Sequence, residues 1–222
     1  MKIERLTCSL KEISLITGTC FDIKKLEKNK RNKSFFRCGA QSAAKELLGD
    51  YLVLKDKKIT LAGRIVETEG YIGIEDDASH SFGGRRTKRN QTMYNEGGCV
   101  YAYFIYGKFW CFNVVTSKKD DPQAVLIRAI EPVEGLEVMK ERRGPKGAKN
   151  LTNGPCRWTQ AFAIDKAYEG RDITCDELFI SRGLNKKFDI VETTRVGIDY
   201  AVNSKDWLLR FYIKGSSFIS KK

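Results

Sequence analysis

The chain has too few metal ligands, and the wrong cysteine spacing, for a zinc site. It has one histidine, His80, and its seven cysteines at positions 8, 20, 38, 99, 111, 156 and 175 form no Cys-x-x-Cys pair. Structural zinc draws four closely spaced Cys and His ligands, so no metal is expected. An odd number of cysteines in a chain of 222 residues reads as a reduced intracellular protein, not a disulfide scaffold. A chain of this length can bury roughly 70% or more of its unfolded surface, so no staple is needed to hold it together. Long apolar runs are absent too. Residues 13–20 are a short apolar piece that follows Lys11 and Glu12, which excludes a signal peptide and a membrane span and leaves a cytoplasmic location as the expectation. There is no internal repeat and no low-complexity tract.

What the chain does have is positive charge and aromatic rings. Forty Lys and Arg against 28 Asp and Glu give a net charge of +12. Charge says nothing about fold, but it favours a polyanionic partner, with nucleic acid ahead of an anionic membrane surface. A merely soluble basic protein remains an alternative on charge alone. Nine tyrosines and twelve phenylalanines tilt the choice, because bases stack on aromatic faces while phosphates need only cations.

Taken in order, residues 1–33 form a basic N-terminal extension containing the run KKLEKNKRNK, either a solvated segment or an auxiliary phosphate-binding arm. Residues 34–222 form the core domain. A helix is expected at 40–48, stopped by Gly49-Asp50. Residues 51–54 and 59–69 read as a hairpin, 74–88 as a Gly-, Asp- and Ser-rich loop, and 100–106 with 109–115 as a second hairpin turning at Gly107-Lys108. After an apolar run at 124–130, Glu131-Pro132 suits the start of a helix carrying Val133, Leu136 and Met139 on one face until Gly144. Asn153-Gly154-Pro155 opens another helix, with Trp158, Phe162 and Ile164 as its apolar positions. Short strands are expected at 178–180, 195–198 and 208–213. Hairpins and segregated helices without regular βαβ alternation argue for an α+β fold: a single compact domain with an antiparallel-rich sheet, a protruding β-hairpin and surrounding helices.

Three groups of residues could carry chemistry. Alternation along a strand puts Glu67, Glu69 and Tyr71 on one face, and a carboxylate beside an aromatic surface can act as general base. A lone Glu at a strand end reads equally as a salt-bridged surface residue, and His80 alone as a structural hydrogen-bonding group. In the second hairpin Tyr101 and Tyr103 share a face, Phe104 and Tyr106 share the other, and Tyr106 sits at the turn. Such stripes are ordinarily core, but an exposed aromatic tip is shaped to enter a stacked base ladder.

The segments RIVETEGYIG, ASHSFGGRRTKRN, VYAYFIYGKFWCFNV, LIRAIEPVEGLEVM, NGPCRWTQAFAI and RFYIKGSSFIS occur in the order found in the alkyladenine (3-methyladenine) DNA glycosylases, and the chain resembles that family over about residues 40–220. The resemblance implies a monofunctional glycosylase that flips damaged purines out of double-stranded DNA and hydrolyses their bond to deoxyribose. Position by position, Glu69 matches the catalytic acid that activates water, and Arg128 a residue near that water and the DNA backbone. Tyr71, His80 and Tyr103 match the pocket that sandwiches the flipped base, and Asn113 matches the residue that disfavours guanine by crowding its exocyclic amine. Tyr106 matches the hairpin tip that fills the gap left in the duplex. Asn113 capping a turn and Arg128 forming a sheet-edge ion pair remain the alternatives.

Cleavage of a glycosidic bond develops positive charge on the sugar, so one nearby carboxylate can stabilise that charge and accept a proton from water. An alkylated purine is already cationic and stacks well on electron-rich rings. A neutral deaminated base such as hypoxanthine needs a donor to its exocyclic oxygen, which the resemblance places at His80. Arg85, Lys88, Arg89 and Lys108 are the expected phosphate contacts. Lys88 stands where the family often has Pro, Phe82 precedes Gly83-Gly84, and Arg157-Trp158 replaces a commoner basic-aliphatic pair. No cofactor and no membrane contact are expected, and the family resemblance favours a monomer. A lyase acting through a lysine Schiff base and a non-catalytic nucleic-acid binder are the competing readings.

Overall fold

The computed structural model describes residues 22–221, apart from 57 and 185. The apolar piece at 13–20 and most of the basic extension lie outside the described residues. The remainder of the extension enters the fold. Asp22 accepts from the backbone N–H of Lys24 and Lys25 and so caps helix α1 (Ile23–Lys28), the role expected of Asp at a helix start. Within the charged run, Lys30 pairs with Asp176, Arg31 with Asp50 at 2.8 Å and Lys33 with Asp172 at 2.8 Å. Lys24, Lys25 and Lys28 are exposed.

Eight antiparallel strands form one sheet: β1 (Tyr51–Lys55), β2 (Thr60–Tyr71), β3 (Val100–Ile105), β4 (Phe109–Thr116), β5 (Gln123–Glu134), β6 (Leu178–Ser181), β7 (Ile190–Thr193) and β8 (Arg210–Ile213). Strand β2 is its spine. One edge pairs with β5 along nearly its whole length, while the other is shared: Thr60 to Arg64 pair with β1, and Glu67 to Glu69 with β8. The sheet therefore runs β3-β4-β5-β2-β1-β6, with β8 and β7 added beside the far end of β2.

Strand periodicity of two puts neighbours on opposite faces. Leu52 and Leu61 enter the main core, whereas Val53 and Ala62 pack with Leu26 of α1 and Phe179. Helix α2 (Ala40–Leu47) buries Ala40, Ala43, Ala44 and Leu47, the i, i+3, i+4, i+7 stripe of a helix lying on a sheet. It packs on β2 and β5. Helix α4 (Pro155–Phe162) has Pro in its first turn, where the missing N–H is harmless. It lies on β4 and β5 with α3 (Leu136–Arg143) against it. Among the described residues no helix is long and apolar enough to cross a membrane, and Cys38, Cys99, Cys111, Cys156 and Cys175 are free thiols.

Two expected elements are displaced. Pro132 does not open a helix: β5 continues through it to Glu134, and α3 begins after Gly135. Strand β4 pairs only with residues 123–126 of β5, so beyond them that edge has no strand neighbour, and Pro132 sits opposite Gly63 at a register irregularity. Proline is tolerated in a sheet at such an edge or bulge. Residues 195–198 are not a strand. The strand lies earlier, at β7, and Arg195 turns inward to a buried carboxylate, described below.

Trp158 joins the layers. It is fully buried, its indole N–H donates to the Ile127 carbonyl at 2.8 Å, and its ring meets Phe112 and Phe162 edge-on. Trp158→Ala is expected to lower the unfolding free energy by about 3–5 kcal/mol in a urea titration; a loss under about 1 kcal/mol would show that the layers do not depend on this side chain.

Candidate active site

Strand β2 brings Glu67 and Glu69 to one face, and β5 meets them with Arg128. In the pairing of the two strands Glu67 stands opposite Ala129 and Thr68 opposite Ile127, so Arg128 is the residue left over. A bulge of this kind re-aims a side chain. The Arg128 guanidinium donates through Nε to Glu67 Oε1 at 3.1 Å and lies with Nη1 3.2 Å from Glu69 Oε1. Both carboxylates are fully buried, and Arg128 is 6% exposed.

The two acids then differ. Glu67 is enclosed by structure: Arg210 Nη1 donates to it at 2.9 Å, and the backbone N–H and hydroxyl of Ser220 at 2.5 and 2.8 Å. Glu69 Oε1 accepts the Val196 N–H at 2.8 Å besides facing Arg128, and Oε2 accepts the Tyr71 hydroxyl at 3.0 Å. A carboxylate offers about four lone-pair positions, so two hydrogen-bond donors and the Arg128 ion pair leave Glu69 room for a further partner. Burial, and after it the neighbouring Glu69 charge, hold the Tyr71 hydroxyl well above the usual tyrosine pKa. It therefore stays a donor.

Tyr71 connects this acid to a cavity lined by Tyr71, Ala78, His80, Tyr101, Tyr103, Asn113 and Tyr200, with Ser79, Met93 and Ala124. One wall is an aromatic group: His80 meets Tyr103 edge-on at 4.7 Å between ring centres, and Tyr101 lies 5.3 Å from Tyr103. Tyr71 belongs to a separate apolar cluster with Ala78, Ile198 and Ala201. His80 Nδ1 is 2.8 Å from the Tyr101 hydroxyl. Burial, and secondarily the Arg89 charge, press its pKa down to about 4, so the ring is neutral near pH 7. Asn113, paired with Tyr101 across the hairpin, donates through Nδ2 to the Tyr101 carbonyl at 3.0 Å.

The hairpin tip is not the Gly107-Lys108 turn expected from composition. Lys108 N–H closes the turn on the Ile105 carbonyl, so Tyr106 and Gly107 are its central residues, with φ of 53° and 62°. Positive φ at both centres matches the right-handed twist of the flanking strands, but a tyrosine held there is strained, and such strain gathers at functional positions. Tyr106 is 84% exposed. Arg85, Lys88, Arg89 and Lys108 are exposed as well; Arg89 reaches the Phe104 carbonyl at 3.3 Å and lies over the Tyr103 ring.

Of the residues singled out from the sequence, the cavity thus gathers Tyr71, His80, Tyr103 and Asn113. Glu69 does not line it and is joined to it by the Tyr71 hydroxyl, with Arg128 on its other side. Tyr106 and the four cations stand on the surface. Among the described residues no cluster of three or more His, Cys, Asp or Glu could hold a metal ion.

Residues 34–217 match the family model described as methylpurine-DNA glycosylase. The chain belongs to that family. It is 47% identical over 196 residues to a "Putative 3-methyladenine DNA glycosylase" of Clostridium acetobutylicum, covering 85% of this chain and 96% of the relative. A protein of the same name from Clostridium novyi is 44% identical over 199 residues, covering 86% and 98%. The chain is a DNA glycosylase of base excision repair.

Three parts of this candidate site are not predicted from the sequence. Arg210 and Ser220, the first and last residues of the RFYIKGSSFIS segment, complete the enclosure of Glu67, a role that was not expected of either residue. Arg195 grips Asp76 with both nitrogens, at 2.5 and 2.8 Å, donates to the Gly70 carbonyl at 3.1 Å and lies 4.8 Å from the Tyr71 ring centre. With Val196 donating to Glu69, one dipeptide positions both the acid and its tyrosine. Tyr200 was read only as part of a polar turn; its sole signal was an aromatic in that turn.

The depressed His80 pKa has a consequence for the glycosylase's stability. The unfolded chain binds a proton at the ordinary histidine value of 6.5, the folded one only near 4, so stability present above pH 6.5 is lost as pH falls between those values. Midpoints of urea unfolding measured across that window are expected to fall more steeply with acid for wild type than for His80→Gln; parallel slopes would show that His80 is not buried as a neutral ring.

Proposed function

We propose that the chain is a monofunctional glycosylase that flips alkylated purines, and also deaminated ones, from duplex DNA into the Tyr71–Tyr103 cavity and releases them with a Glu69-activated water. The observation that carries this reading is the Glu69 carboxylate: fully buried, held by two hydrogen bonds and the Arg128 ion pair with hydrogen-bonding capacity to spare, and joined to an aromatic cavity through Tyr71. The water oxygen bonds to the sugar C1′, the glycosidic bond breaks with its electron pair going to the purine nitrogen, and Glu69 takes the water proton. The carboxylate also stabilises the positive charge that develops on the sugar. Arg128, 3.2 Å from the Glu69 carboxylate, orients it, which makes Arg128 part of the same machinery.

Selection follows from the walls. A cationic methylated base leaves readily and is attracted to the electron-rich faces of Tyr71 and Tyr103. Hypoxanthine requires a donor, and neutral His80 supplies one from Nε2 when the Tyr101 hydroxyl donates to Nδ1. Asn113, fixed on the Tyr101 carbonyl, crowds the exocyclic amine of guanine. Tyr106 fills the gap in the base stack, and Arg85, Lys88, Arg89 and Lys108 bind phosphates, so affinity falls steeply with salt. The enzyme works as a monomer in the cytoplasm, in keeping with its free thiols.

Glu69→Gln keeps the shape of the side chain and removes the base. On duplex DNA carrying one methylated adenine, base release under single-turnover conditions is expected to fall by about 10²–10⁴-fold, with binding of the lesion duplex retained. Release at the wild-type rate would remove Glu69 from the reaction.

A further inference from the structure

We infer that Tyr200 is a further substrate-contacting residue, its ring forming part of the mouth of the cavity and packing against the flipped nucleotide. The inference rests on the base-flipping reading above and adds to it a specificity contact from a segment outside the six motifs. Tyr200 shares the cavity with Tyr71 and Ala78, yet 65% of it is exposed. Its hydroxyl donates to the Ala78 carbonyl at 2.9 Å, so the polar end is already satisfied by protein and what remains on offer is apolar ring.

The ring is also held still. Asp77 accepts from the backbone N–H groups of Val202, Asn203 and Ser204 at 2.7, 2.7 and 2.9 Å, with the first of its stabilising contacts at Asn203 keeping its carboxyl well below the usual aspartate range. The Ala201 N–H closes a turn on the Ile198 carbonyl at 2.8 Å. Deeper in the loop, Arg195 is clamped to Asp76. Three carboxylate contacts and a buried ion pair are a large investment for a surface tyrosine that fills no core. Their effect is to fix an aromatic face before any ligand arrives, which removes the ordering cost from binding.

Position decides the occupant. Tyr106 stands at the hairpin tip, beyond the Tyr103 wall, whereas Tyr200 stands on the loop packed with Tyr71. A nucleotide rotated into the cavity passes between these two sides, and the exposed Tyr200 ring meets its base and sugar from the side the hairpin does not cover. An undamaged duplex, whose bases stay stacked, presents nothing to it. Tyr200 therefore contributes to discrimination between damaged and undamaged DNA and adds little to general affinity.

The test uses the full chain, with Tyr200→Ala and Tyr200→Leu, and measures Kd for a duplex bearing one methylated adenine and for the same duplex undamaged, alongside Tm. Stacking on an aromatic ring is commonly a five- to hundredfold effect, so lesion-duplex affinity is expected to fall about tenfold or more, undamaged-duplex affinity to stay near wild type, and Tyr200→Phe to keep most of the discrimination. Leucine retains apolar bulk in the loop, so a loss shared by Ala and Leu at unchanged Tm belongs to the ring. Unchanged lesion affinity in both variants, or an equal loss on both duplexes, would overturn the inference. Wild-type protein that does not distinguish the two duplexes would instead overturn the base-flipping reading, and this inference with it.

Discussion

Arg128 lies between two buried carboxylates, and the site depends on that one shared cation. Glu67, Glu69, Arg128 and Arg210 place two negative and two positive charges together in the sheet interior. Removing ions from water costs several kcal/mol each and is offset only by close pairing with full hydrogen bonding. The strands meet this condition by a bulge. Were β2 and β5 in perfect register, Arg128 would be one more paired residue; left over at the irregularity, it turns toward both acids at once. Glu67 uses its remaining capacity on Arg210 and Ser220 and so ties the C-terminal segment to the sheet. Glu69 uses less of its own, so one acid is enclosed by structure and the other keeps hydrogen-bonding capacity to spare.

The rest of the molecule extends from this cluster. Tyr71, two residues beyond Glu69 on the same strand, carries the acid's influence to the cavity wall. The β3–β4 hairpin supplies Tyr103 and Asn113 on its buried part and Tyr106 at its strained tip, so the cavity wall and the exposed aromatic tip are fixed on one element. The loop from Arg195 to Ser204 closes the other side: it donates to Glu69, sets Tyr71 through a buried ion pair and presents Tyr200. Positive charge is left for the surface near the hairpin, at Arg85, Lys88, Arg89 and Lys108, while the buried charges are paired.

Much of this could be read from the residues. The two hairpins, helices α2 and α4 and strand β6 followed from periodicity, Gly and Pro punctuation and apolar spacing, because in each the local pattern and the tertiary environment agree. Pro132 misled: an isolated proline favours a helix start, and only the missing strand neighbour on the far edge of β5 explains its place in a strand. Strand β7 was missed because its burial is half exposed, and residues 195–198 resembled a strand because Arg195 is an inward-facing charge whose partner, Asp76, lies over a hundred residues earlier. The enclosure of Glu67 was not legible for the same reason: the RFYIKGSSFIS segment stands out, but Arg210 and Ser220 at its ends meet Glu67 only through β8 and the segment after it. The turn at Tyr106-Gly107 shows the subtler case, in which composition favoured Gly107-Lys108 and strand register moved the positive-φ position onto the tyrosine itself.

The central claim is the division of labour between the acids that Arg128 joins, and Glu67→Gln tests it most directly, with unfolding free energy and single-turnover base release measured on the same preparation. The account expects stability to fall by about 3–5 kcal/mol, because two buried guanidinium groups lose their shared counter-charge, while the protein that remains folded at low temperature still releases the base at close to the wild-type rate. A Glu67→Gln protein as stable as wild type yet unable to release the base would contradict it and make Glu67, not Glu69 alone, the acid of the reaction.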